Sequence, residues 1–256
     1  MSASYKFPLK LVGCYAWFAA LYWIVFSIAP GFHQRWFRGE DRIVEWLTFS
    51  GFLLAALIMG STFRKCRASM GPWARAYVLG LAFFFFVCAG EELSWGQRIF
   101  GFATPDVVKA QNEQQEFNLH NLDFEHFHPI VVVSLFMKCF GVALPLLLLA
   151  FWRDGAPSWR RYVAPVALVP CFLFAELSVP TAKAVARRLE PRVGEVTAKV
   201  IKLDTAEMKE MYWGLSVMFA TLAMHGAWRR KGVEGRVSSV PPSRGGSGEA
   251  GEGEST

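Results

Sequence analysis

Apolar positions along this chain come in long blocks and polar positions in short connecting segments. Six blocks stand out, at residues 8–30, 43–63, 73–100, 129–152, 161–181 and 206–228. A hydrocarbon core about 30 Å thick needs about 20 mostly apolar residues to cross as a helix, and each block is long enough. The pattern predicts an all-α fold: a polytopic membrane helical bundle of about six transmembrane helices. The first block exceeds the apolar region of a signal peptide and no small-residue cleavage site follows it, so it is read as a retained helix.

The connections are uneven. Residues 93–128 form a polar segment in which Thr104-Pro105-Asp106 has the order of an N-cap, a first-turn proline and a first-turn acid. A short helix should open there. The stretch KAVARRLEPRVGEVTAKVIK at 183–202 is apolar and basic by turns, with a break expected at Pro191. It reads as a pair of short interfacial helices whose basic residues face lipid headgroups. Past Lys231 the chain turns to Gly, Ser, Pro and Glu. The expected organisation is therefore a bundle over 1–231 and a disordered tail over 232–256.

Composition sharpens this picture. The apolar fraction is 53% and the aromatic fraction 15%, which favours the membrane class. The formal charge of +6 sits in short segments between apolar blocks, as at the ends of membrane helices. A lipid bilayer is the implied partner and nucleic acid is not. Five cysteines lie mostly inside apolar blocks with no C-x-x-C pair, which suits small apolar fillers. Trp36, Trp46, Trp73, Trp95, Trp152, Trp159, Trp213 and Trp228 fall near block ends, as an aromatic belt would place them. Lysine and arginine density favours an N-terminus in the cytoplasm, and six spans return the C-terminus there, although the basic 183–202 segment argues the other way.

Candidate chemistry centres on residues 89–121, AGEELSWGQRIFGFATPDVVKAQNEQQEFNLHN. At about 1.5 Å per residue, Glu91 and Glu176 each fall roughly 22 Å across the core, on the same side. Glu45, Glu210 and the histidines His120, His126 and His128 belong to that side as well. Carboxylates at membrane depth are costly unless paired or bound, so several at one level imply a polar cavity. In a third helix that continued past Glu92, Glu91, Trp95 and Arg98 would share one face. Glu91 or Glu92 is the candidate general base or metal ligand, and His120 a ligand or acid–base group. Arg98 would bind phosphate or carboxylate, while Trp95, Gln97, Glu176 and Asn121 would line a substrate site. A divalent metal would fall to His120, His126 and His128. Asp204 and Glu207 have capping-box spacing, and Glu40 and Asp41 suit the positive end of the second helix. His33 and His225 are given no role.

The runs GEELSWGQRIFGFATP and NEQQEFNLHN resemble the signature of an uncharacterised family of bacterial multi-span membrane proteins, G-E-E-[IL]-S-W-G-Q-R followed by N-x-Q-x-E-x-N-L-H-N. The resemblance implies membership of a membrane family and no activity. Glutamate-type prenyl endopeptidases carry E-E-x-x-x-R, but Arg98 stands two residues too late for that pattern. Ceramidase-like hydrolases pair two histidines at helical spacing, and His225 has no such partner. The residues alone favour a membrane-embedded enzyme acting on a lipid or lipid-linked substrate. The rivals are a proton- or cation-coupled transporter and a non-catalytic assembly partner.

Overall fold

A computed structural model describes residues 6–37, 42–109, 117–118, 130–151 and 162–237, with the backbone alone described at Lys6, Arg98 and 231–237. Every regular element among them is helical. The α-helices are α1 (Lys6–Ile28), α2 (Pro30–Trp36), α3 (Ile43–Cys66), α4 (Pro72–Glu92) and α5 (Gln97–Phe100). They continue as α6 (Asp106–Lys109), α7 (Ile130–Lys138), α8 (Leu144–Phe151), α9 (Val169–Val193) and α10 (Glu195–Val237). A π-helical segment, Cys139–Ala143, joins α7 to α8.

Five helical stretches are long and apolar enough to cross a membrane: Phe7–Ile28, Ile43–Ser69, Pro72–Glu92, Ile130–Phe151 and Val166–Val193. The sixth expected span, 206–228, is not among them. It lies inside α10, whose inward surface mixes Ser216 and Thr221 with Met211, Trp213 and Val217, all buried. Its polar groups are shielded by neighbouring helices, so it does not need the composition of a lipid-facing span. Gly51 against Gly214 and Thr62 against His225 are both pairs 163 positions apart, so α10 runs parallel to α3 over most of that helix.

The helix contacts follow from residue size. A Cβ on Gly51 would lie 2.5 Å from the Gly214 carbonyl carbon, so α3 and α10 touch backbone to backbone. A Cβ on Gly141 would run into the ring of Phe172; the π-helical bulge seats that ring against the backbone. Phe52 of α3 stacks on Phe85 of α4 at 6.4 Å. The same antiparallel register sets Glu45 opposite Glu92.

Several expectations need correction. The third span ends at Glu92, because Ser94, Trp95 and Gly96 take left-handed φ values of 47°, 54° and 76°. Glu91, Trp95 and Arg98 therefore do not share the face of one continuing helix. The 183–202 stretch is not a pair of short interfacial helices: α9 runs through Pro191 and the chain turns at Gly194, φ 82°. Pro191 gives up one backbone hydrogen bond inside the helix, while only glycine takes the φ of residue 194 without strain. Asp204 lies inside α10 and accepts from the Tyr22 hydroxyl at 2.9 Å, so it opens no capping box. Trp213 and Trp228 are fully buried and belong to the core, not to a belt. Trp36, Trp46, Trp73 and Trp95 are exposed, and Trp152 and Trp159 lie outside the described residues. Helix α10 also continues through Gly232 and Gly235 to Val237, past the expected end of the bundle at Lys231. Two helical glycines cost only about 1 kcal/mol each relative to alanine. The expected disordered tail otherwise falls outside the described residues, as do Glu40 and Asp41. The short helix after Thr104-Pro105 is present as α6. All five cysteines are free thiols.

Candidate functional site

The bundle has an acidic end and a basic end. At the basic end, Lys65 at the close of α3 and Arg229 of α10 both act electrostatically on Cys66 and on His225. The His225 Nδ1 lies 2.8 Å from the Thr62 hydroxyl, so this histidine is a contact between helices. His33, also given no role by the sequence, is buried among the rings of Tyr22, Phe26 and Phe37.

The acidic end is built by the two registers described above. The α3–α4 pairing sets Glu45 against Glu92, and the α3–α10 pairing brings Glu207 and Glu210 beside Glu45. The Glu92 carboxylate accordingly feels the charges of Glu210, Glu45, Glu207 and Glu91. Five carboxylates from three helices thus converge, with Glu91 buried, Glu45, Glu92 and Glu210 half-buried and Glu207 exposed.

What closes α4 is a left-handed turn folded back on it. The Trp95 indole packs over Gly90, where a Cβ would lie 2.9 Å from the ring. Its Nε1 donates to Glu91 Oε1 at 2.5 Å, which fixes a carboxylate only 7% exposed. Beyond the turn, Gln97 Nε2 donates to Thr104 Oγ1 at 2.6 Å, and its Oε1 accepts from the Phe117 N–H at 2.7 Å. Asn118 Nδ2 donates to the fully buried Ser94 Oγ at 3.2 Å. The amide-rich run is thereby tied to the turn that follows the twin glutamates. Sequence reasoning missed Asn118 and Ser94 as parts of this network. The signal was there in the N-L-H-N run, where Asn118 repeats the amide of Asn121.

Glu176 stands apart from the five acids. Its Oε1 accepts from Trp213 Nε1 at 2.9 Å, and its Oε2 lies 3.6 Å from Lys138 Nζ. Lys209 Nζ sits 4.1 Å from the centroid of the Trp213 ring, a cation–π contact. Lys138 and Lys209 were not assigned a role from the sequence, and Trp213 was expected only in the aromatic belt. A lysine inside an apolar block gives no sign of its partner until the π-helical segment and α9 are placed together.

His120, Asn121, His126 and His128 lie outside the described residues, as does the side chain of Arg98. Among the described residues no group of three or more His, Cys, Asp or Glu is disposed to hold a metal ion.

Fold and geometry define a multi-pass integral membrane protein whose acids are gathered at one end of its bundle. Comparison of the chain with protein-family models, with curated proteins and with solved structures found no match.

Proposed function

We propose that the protein is a membrane-embedded enzyme acting on a lipid or lipid-linked substrate, with Glu92 as its acid–base group. The observation that carries this reading is the strained turn after the twin glutamates. A left-handed conformation costs about 1–2 kcal/mol at a residue other than glycine. Two such residues, Ser94 and Trp95, stand in succession here. Backbone strain of this kind persists where the surroundings over-determine it, and it clusters at functional sites. Here it locks Glu91 through the Trp95 indole, directly beside Glu92, which feels the charges of the acids on α3 and α10. A carboxyl group among other carboxylates is suited to pass a proton to or from a bound group. Arg98, just after this turn, is proposed to bind an anionic headgroup, and His120, two residues past the Asn118 that is tied to Ser94, to share the proton transfer. Any divalent metal would fall to His120, His126 and His128, with Trp95, Gln97, Glu176 and Asn121 on the substrate side. The basic end is placed in the cytoplasm of a bacterial inner membrane, with both ends of the chain inside.

The test is lipid mass spectrometry on wild type and Glu92→Gln reconstituted in nanodiscs with a native lipid extract. Wild type should deplete one lipid class with time and the variant should not. Equal lipid profiles would sink the enzyme reading. One observation favours a transporter instead: the Lys138–Glu176 pair lies within two of the spans beside the π-helical segment. Cation- or proton-driven flux in proteoliposomes, lost in Lys138→Gln while lipids stay unchanged, would decide for that rival.

A further inference from the structure

An apolar groove of about 660 Å³ lies between the C-terminal half of α1, the length of α9 and the first half of α10. Ala19, Trp23 and Phe26 form one wall, and Leu177, Val185 and Ile201 represent the others. From Thr197 to Tyr212 it follows α10 for 15 residues, roughly 22 Å at helical rise. Three of its hydroxyls are spent on their own helices: Ser27 donates to the Trp23 carbonyl at 2.8 Å, Ser178 to Ala175 at 2.7 Å and Thr205 to Ile201 at 2.7 Å. The groove thus offers little hydrogen bonding to a solute despite its serines and threonines. Leu177, Val185 and Val193 are partly exposed along it, so it opens sideways from the bundle.

Charge says what covers it. Arg188 and Arg192 are one turn apart on the side of α9 that carries Val185 and Leu189, and both are exposed near the hairpin tip. Glu190 and Glu195 fall on other sides of their helices. A long apolar slot flanked on α9 by two exposed arginines matches one molecule of the bilayer around such a helix pair. We infer that the groove binds an acyl chain of an anionic phospholipid, with the phosphate held by Arg188 and Arg192. This site is separate from the acids, because Glu210 is nine residues from Ile201, half a turn round α10 from the groove. It holds whether or not the protein is an enzyme.

Native mass spectrometry of the full chain, purified in mild detergent and offered phosphatidylglycerol and phosphatidylcholine, tests it. Wild type should retain one phosphatidylglycerol with about tenfold or greater preference, the order expected of two basic residues near a membrane surface. Arg188→Gln with Arg192→Gln should reduce retention to the phosphatidylcholine level. Ala182→Phe, which fills the groove, should release the lipid, and its melting temperature shows whether it folds. If it does not fold, the double arginine variant decides alone. Equal retention of both lipids by wild type, or no loss in the double variant, would overturn the assignment in favour of unspecific surface lipid. A lipid-free wild-type dimer would overturn it in favour of a second copy of the chain.

Discussion

Single residues carry the tension in this molecule between holding shape and holding charge. Glu91 is held by the Trp95 indole, and Trp95 is held by the missing side chain of Gly90. Removing the donor by Trp95→Phe strips a charge-assisted hydrogen bond from a buried carboxylate. It should cost about 1.5–3 kcal/mol, read as a lower melting temperature in detergent. Glu91→Gln behaves differently: its amide oxygen still accepts from the indole, and one charge leaves a crowded set of five. Its melting temperature should hold or rise while activity is lost, which is the signature of a residue kept for chemistry. Early melting with full activity would instead mark these residues as a helix lock. Depth counting along the sequence could set Glu91 and Glu176 at one level, with Glu45 and Glu210 on the same side, because level depends only on helix rise. It could not give the partners of Glu176, which joins Lys138 and Trp213, because position around a helix depends on which neighbours pack where.

Helices were legible here as apolar blocks, and their ends were less so. Nothing in the apolar content of 73–100 distinguishes a continuing helix from one that stops at Glu92 and turns left-handed. Only Gly96 and Gly101 hinted at it, while the strain falls on Ser94 and Trp95. At the other hairpin Pro191 drew attention, but the turn is made by Gly194, three residues later. Close contacts between helices are set by glycines that the block pattern cannot rank. Gly51→Ala would press a methyl group into the backbone of α10, with no side chain able to yield. A loss of about 1–3 kcal/mol is expected, the usual range for overpacking. Gly60 on the same helix has nothing within 4 Å, so Gly60→Ala should be neutral or stabilising. Gly141→Ala should destabilise as Gly51→Ala does, with one difference. Its obstacle is the Phe172 side chain, so Phe172→Leu in the same chain should restore much of the loss. Thermal melting of the four variants checks all three statements.

Across the whole molecule, the separation of charge between the two ends is what the sequence made clearest. It survives the finding that α10 is a core helix in place of an apolar sixth span. Since α3 and α10 run parallel, Ser69 and Arg230 should lie on one side of the membrane and Val107 on the other. Membrane-impermeant thiol labelling of single cysteines at these positions, in a cysteine-less chain, checks this. Labelling of Ser69 and Arg230 positions from opposite sides would undo the α3–α10 register as a transmembrane arrangement.

That register also has a consequence in time. Helix α3 is made early, and its partner is 163 residues downstream. At about 5–20 residues per second the ribosome needs roughly 10–30 s to deliver α10 after α3 has left it. For that interval Glu45, Glu91 and Glu92 stand in the membrane without the helix that packs against α3. A chain halted at Gly194 never receives it. Such a product should be recognised and degraded far faster than the full chain, which makes completion of the last helix the checkpoint of assembly.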